Sequence, residues 1–443
     1  MPDATGAAAL ALQFQLARSE WWPPERLRAH QYRQLAALVR HALDTVPYYR
    51  DSLPPGLLDA DGLIDQARWH DVPLLRRETV QREGERLTST APPPEHGPIA
   101  VIRTSGSTGR PVRVSRTVLS RDFWSAFTVR DHLWHRRDLA GKLVAIRYAD
   151  PRAVPENGLR RPGWGRSTDA VFDTGPGVLL SVHTDVVAQA GFLVREDPDY
   201  LLSYPSNLRA LATHFVDHGL RLPRLRQVRS FGETLTDPVR EACDSAWGVP
   251  VVDLYSTQEL GIVALQCPTG QRYHVMAEDV IVEILDEDGR PCRPGQPGRV
   301  VVTSLHNFAT VLLRYEVGDY AEAGDGCACG RGLPVIRHIL GRSTNMMRLP
   351  DGRTVWPRLQ QSLYRTMAPL FQMRLIQRDL RRIEFLYVAD RALHEQEKVA
   401  LSGRMSADFD HEFTYTFTRV DGLDRSRTGK FEDFICMVDT LGE

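Results

Sequence analysis

The sequence predicts an α/β protein: a large N-terminal unit of helix-covered β-sheets with a small β-rich part, then a small α+β unit. Three observations predict it. Between residues 141 and 257, apolar strand-like runs alternate with helical runs. From about residue 275, β-rich runs separated by turn residues replace that alternation. After residue 341, a strand, helix and strand pattern follows. With 443 residues the chain exceeds one ordinary core, and two domains are expected, 1–341 and 342–443.

Taken in order, residues 26–46 place Leu35, Leu38, Val39, Ala42, Leu43 and Val46 on one helical face, and Pro47 ends the element. "APPPEHGP" reads as a linker or surface loop, and "PIAVIR" as a buried strand entering the loop "TSGSTGR". "GKLVAIRY", "DYLLSYP", "LRQVRSFGE" and "VPVVDLYS" read as strands or strand-like runs. Between them, "DVVAQAGFLVRE", "NLRALATHFVDHG" and "DPVREACDSAW" read as helices, which together imply a largely parallel, covered sheet. "EDVIVEILDEDGRPCRPGQPGRVVVTSL" suggests hairpins or a small barrel. The last unit contains "RRIEFLYVAD", a helix near 393–409, and a strand alternating Phe413, Tyr415 and Phe417.

Composition is that of an ordinary globular chain, 42% hydrophobic and 25% charged. The 55 basic and 56 acidic residues nearly cancel, which gives no electrostatic case for nucleic acid or an anionic membrane. No run approaches the roughly 20 apolar residues of a membrane span. The N-terminus carries Asp3 and no positive charge before its apolar run, unlike a secretory signal. Six cysteines are too few for a disulfide framework in a chain this long, and a cytoplasmic location is expected.

Four stretches carry candidate chemistry. The loop Thr104, Ser105, Gly106, Ser107, Thr108, Gly109, Arg110 offers backbone N–H groups, hydroxyls and a cation, which suit a phosphate; the same residues also make plain turns. It is not a Walker loop, because Arg110-Pro111 replaces Lys-Ser/Thr. In "DLYSTQELG", Tyr255, Ser256, Thr257 and Glu259 follow a buried strand, where open α/β sheets gather ligands. One carboxylate among hydroxyls suits Mg²⁺ when phosphates supply its other ligands, or a polar turn facing water. Asp319, in "RYEVGD", suits a ribose diol or a turn, and Lys430, in "RTGK", is a mobile cation or an ordinary surface lysine. Cys327 and Cys329 form a tight thiol pair, and Cys267 with His274 a second group. Three sulfurs and an imidazole make a tetrahedral zinc site or four structural side chains; Cys292 is the substitute ligand.

Taken together, "TSGSTGRP", "SFGETL", "YSTQE", "RYEVGD", "GRSTN" and "RTGK" resemble, in order, the motifs of the adenylate-forming enzyme superfamily. "VPYYR", "YLLSYPSNLRALA" and "CACGRGLPVIRHILGR" further resemble the phenylacetate–CoA ligase branch. This resemblance implies the adenylate-forming fold, with a mobile C-terminal lid. It implies an ATP-dependent ligase that activates a carboxylic acid, aromatic or arylacetic, as an acyl-adenylate and passes the acyl group to CoA. An amine or a carrier-protein thiol is the alternative acceptor, and a non-catalytic zinc-containing module the third reading.

The resemblance also assigns roles. Lys430, with Thr257 and Glu259, would be catalytic; Thr104 through Arg110 would hold the pyrophosphate end; Gly232 and Glu233 would border adenine. Tyr255 and Ser256 would lie along the nucleotide, Asp319 would accept from ribose hydroxyls, and Arg342 would reach ribose or phosphate. Tyr148, Tyr204, Pro205 and Phe231 would wall the acid. Relatives carry Cys and His at places matching Cys267, His274, Cys327 and Cys329, which favours structural zinc. Departures from the pattern are Arg110, where a lysine is usual, and Ser343-Thr344-Asn345 at the hinge, where Asp is common; Thr344 is the expected pivot. The cofactors would be ATP, Mg²⁺ on Glu259, structural Zn²⁺, and CoA as co-substrate. A homodimer is allowed.

Overall fold

The computed structural model describes residues 4–103, 112–150, 152–357 and 359–438. Chain order explains the sheet. A hairpin of β1 (Ala100–Arg103) and β2 (Arg113–Arg116) precedes β3 (Leu143–Arg147), β4 (Leu159–Arg161), β5 (Gly177–Ser181), β6 (Tyr200–Ser203) and β7 (Gln227–Phe231). Then follow β8 (Val251–Thr257), β9 (Gly261–Gln266), β10 (Tyr273–Val275), β11 (Val280–Leu285), β12 (Pro297–Ser304), β13 (Tyr315–Ala323) and β14 (Val335–Arg342).

Strands β3 to β14 form one 12-stranded sheet in the order β11-β12-β13-β14-β10-β9-β8-β7-β6-β3-β5-β4. From β8 to β5 the pairs are parallel. Helices Val186–Glu196, Pro205–Asp217 and Asp237–Trp247 connect these strands and bury Leu193, Leu208, Phe215 and Val239 against one face. Asp185 caps the first of these helices, accepting from Val187 and Ala188 N–H, and Gly248 at φ 63° stops the last. Parallel crossovers demand helices, so the alternation in sequence dictates this half.

From β8 to β11 the sheet turns antiparallel. The β-rich region is therefore a run of hairpins on the same sheet and makes no separate barrel. Its inner face shares a core with helix Pro24–Thr45, where Leu35, Leu38, Val39 and Ala42 are fully buried as the periodicity required. "PIAVIR" departs from its expectation. Among the described residues its strand pairs only with β2, and Val101 is 47% exposed, while Val114 on β2 carries the burial against the core.

Beyond β14, a four-stranded sheet of Thr414–Arg419, Arg382–Val388, Gln372–Gln377 and Phe434–Cys436, with helix Glu395–Phe409, builds its own core around Leu375, Phe385, Leu401 and Met405. Among the described residues no helix is long and apolar enough to cross a membrane.

Candidate active site

The carboxyl ends of β7 and β8, the middle of β13, the end of β14 and the segment Asp424–Ile435 all open into one cleft of about 2710 Å³. Lys430, Gly232, Glu233, Tyr255, Ser256, Thr257, Glu259, Asp319, Arg342, Tyr148, Tyr204, Pro205 and Phe231 all line it. The expected phosphate loop, Thr104 to Arg110, lies outside the described residues.

Lys430 reaches the cleft because the C-terminal unit is docked over it. Phe431 N–H donates to Glu233 Oε1 at 2.8 Å, and Ser206 N–H to Glu233 Oε2 at 2.9 Å. Arg425 donates to Ser206 Oγ at 2.7 Å, and Tyr204 OH to the Thr428 carbonyl at 3.2 Å. Behind them Arg209 and Asp433 make a two-pronged ion pair at 2.7 and 3.0 Å. Gly429, at φ +80°, passes so close to Val182 that a Cβ would lie 2.4 Å from it, so only glycine fits. The Lys430 side chain passes beside Gly232: a Cβ on that glycine would lie 3.6 Å from Lys430 Cε. Burial and then Arg342 push the Lys430 pKa below the ordinary lysine range, against Glu233, Asp319 and Glu259. Burial between the units likewise raises the Glu233 carboxyl.

Asp319 and Arg342 face each other across β13 and β14, with Nε 3.7 Å from Oδ1. Tyr255 OH donates to Asp319 Oδ2 at 2.7 Å. That leaves carboxylate lone pairs toward the cleft for a diol. Glu259 is 9% exposed, and its Oε1 accepts from Arg77 Nη1 at 3.1 Å. Thr257 Oγ1 accepts from Leu260 N–H at 3.0 Å. A buried carboxylate beside two hydroxyl-bearing residues is a hard oxygen set that fits Mg²⁺, with one oxygen already neutralised by Arg77. The Tyr204 and Phe231 rings lie 4.7 Å apart, tilted by 33°, while Tyr148 is 43% exposed.

A second cluster lies away from the cleft. Cys267 follows β9, His274 sits on β10, and Cys327 and Cys329 lie in the β13–β14 connection. Since β10 pairs with both β9 and β14, the sheet brings distant positions together. Their ligand atoms all lie within 4.8 Å of one another. Cys267 and Cys327 sulfurs are 3.5 Å apart, and Cys329 Sγ is 3.2 Å from His274 Nε2. Tetrahedral zinc with bonds of about 2.3 Å spaces its sulfurs near 3.7 Å, so the four fit that ion. Cys292 sits on the β11–β12 turn beside the Pro297 carbonyl, outside this cluster.

No family model matches the chain. Phenylacetate–coenzyme A ligase of Thermus thermophilus is 26% identical over 352 residues, covering 76% of this chain and 75% of that one. The enzyme of the same name from Aromatoleum evansii is 27% identical over 329 residues, covering 73% and 72%. Crystal structures of 2-hydroxyisobutyryl-CoA ligase in the postadenylation state, in complex with R3-HIB-AMP, superpose with a TM-score of 0.72 at 16% identity, over 95% of this chain and 91% of that chain. The chain is similar in sequence to phenylacetate–CoA ligases and has the adenylate-forming fold.

Several cleft residues of this chain escaped the sequence. Arg77 on helix Arg77–Glu83, the Arg209–Asp433 pair and Ser206 carry no spacing signal, since their partners lie 182, 224 and 27 positions away. Arg425 and Asp433 stand within "RSRTGKFED", where the sequence reading gives a role to Lys430 alone. Asp433→Asn is expected to weaken docking by about 1–2 kcal/mol, between the values for exposed and buried pairs. The check is the acid-dependent ATP–pyrophosphate exchange rate, which should fall roughly fivefold to thirtyfold while the melting temperature stays within about 3 °C.

Proposed function

We infer that the protein is an ATP-dependent ligase that joins an acid to the AMP moiety of ATP, releasing pyrophosphate, and then passes the acyl group to CoA, releasing AMP. The docked Lys430, held over the same cleft as Asp319, Tyr255 and Glu259, carries this reading. Asp319 accepts from the ribose hydroxyls, with its orientation fixed by Tyr255 OH. Gly232 and Glu233 border the base, and Arg342 stands between ribose and phosphate. The Thr104–Arg110 loop holds the pyrophosphate end. Attack of a carboxylate on the α-phosphate brings anions together, and Lys430 places a cation where that charge builds. Mg²⁺ on Glu259 would neutralise phosphate charge when bound, and Thr257 holds the turn that aims this carboxylate. The docked unit, 342–443, moves away about the Ser343–Asn345 turn, with Thr344 as pivot, to admit CoA. Cys267, His274, Cys327 and Cys329 hold structural zinc, and the enzyme works in the cytoplasm.

The test is ATP–pyrophosphate exchange over a panel of aromatic, arylacetic and medium-chain acids, followed by CoA and product mass. Exchange that depends on one class of acid, with an acyl-CoA product, is expected. Absence of exchange across the panel would overturn the first half-reaction. Transfer to supplied amines or a carrier protein, with none to CoA, would overturn the second.

A further inference from the structure

The inner part of the cleft, on the sheet face opposite the three crossover helices, ends on buried charge. Ala145, Leu179 and Leu202 line it from the sheet, and Trp124 and Trp164 from the other side. At its floor stand Arg229 and His132, 5% and 3% exposed. Arg229 Nη2 donates to Asp131 Oδ2 at 2.5 Å, and Arg137 Nη1 donates to the same oxygen at 2.6 Å. Among the described residues Nε and Nη1 of Arg229 have no protein acceptor. Arg137 Nη1 also lies 3.2 Å from His132 Nδ1, and a guanidinium only donates, so Nδ1 accepts and the ring proton sits on Nε2. Burial, then Arg229 and Arg137, keep His132 neutral, and burial leaves His135 at about 4. Burial opposes the charge of Asp131, but Arg137 and Arg229 outweigh it. The cluster therefore holds two guanidiniums against one carboxylate and presents only N–H donors to the cleft. A plain phenyl or alkyl end placed there leaves buried donors unpaired.

Resting on the ligase reading above, we propose that the acid substrate carries a second hydrogen-bond acceptor, best an anionic one, at its far end, and that Arg229 and His132 read it. Arg229 on β7 precedes Gly232, the residue beside Lys430 just past the strand's end, by three positions, roughly 10 Å of backbone. That is the reach of an arylacetic acid with a para substituent. This is a narrower class than arylacetic acids at large, and its determinant is a buried donor pair on β7 and on helix Val118–Trp134.

Matched acids test it: 4-carboxyphenylacetate and 4-hydroxyphenylacetate against 4-methylphenylacetate, with suberate against octanoate. Exchange gives kcat/KM, and calorimetry without ATP gives binding. The acceptor-bearing member of a pair should be preferred about 10- to 100-fold, the range of a charged hydrogen bond. Arg229→Met should abolish that preference while the apolar partner is used as well or better. Should Arg229→Met fail to fold, His132→Phe, which keeps an aromatic ring without its donor, should reduce the preference at least several-fold. Equal use of both members by the wild type, or a preference unchanged in the folded variants, would overturn the inference and leave the ligase reading intact. If no acid supports exchange, the ligase reading falls, and calorimetry alone decides: selective binding of the 4-carboxy acid upholds the donor floor, and indifference overturns it.

Discussion

Replacing Lys430 by Ala is expected to lower acid-dependent ATP–pyrophosphate exchange by about 10²- to 10³-fold, the range seen when one electrostatic contact to a transition state is removed. The fold should persist, because the core of the C-terminal unit is built from Leu375, Phe385, Leu401 and Met405, and Lys430 stands outside it. Transfer from a supplied acyl-adenylate to CoA should survive, since the lysine is proposed to act only before that step. Full exchange in the variant would remove its role. The pH dependence has a defined sign. Burial and Arg342 lower the Lys430 pKa, so the cation is lost as pH rises through a value below that of a free lysine. The exchange rate should therefore fall on the alkaline side earlier than an unperturbed lysine would allow, and Lys430→Arg should lose that limb at whatever activity remains.

The second large effect concerns the Cys₃His cluster. Purified protein should hold close to one zinc per chain, and Cys327→Ser with Cys329→Ser should release it. Loss of a metal that ties β9 and β10 to the β13–β14 connection is expected to cost more than about 4 kcal/mol. At this size that lowers the melting temperature by roughly 5 °C or more. Elemental analysis and a thermal melt check both. Protein without zinc, or zinc retained by the double variant, would remove the assignment. The donor floor of the cleft is untouched by this change, so any residual exchange should keep its acid preference.

The fold was legible where local pattern and tertiary demand coincide. Leu193, Leu208 and Val239 sit on helices that must cover a parallel sheet, and their spacing announced it. Pattern failed at "PIAVIR", since an apolar run cannot reveal that its strand will join a two-stranded hairpin and not the central sheet. Within the cleft, ordered motifs marked Gly232, Glu259, Asp319 and Lys430, and the structure brings all four to one cleft. Their partners were not legible. Arg77 meets Glu259 across 182 positions, and Asp131, Arg137 and Arg229 meet inside the fold, where spacing holds no information about pairing. The Cys and His set was readable as residues, but only the β9–β10–β14 pairing explains how they converge.

The C-terminal unit is held largely by polar contacts, through Glu233, Arg425, Arg209–Asp433, Arg365–Asp217 and the Tyr204 hydroxyl, while its apolar core stays its own. Exchange of such contacts for water moves little hydrocarbon into solvent. Undocking should thus carry almost no heat-capacity change, and salt should shift it more than temperature does. In a calorimeter the small unit should melt in its own transition, separate from that of the 12-stranded sheet.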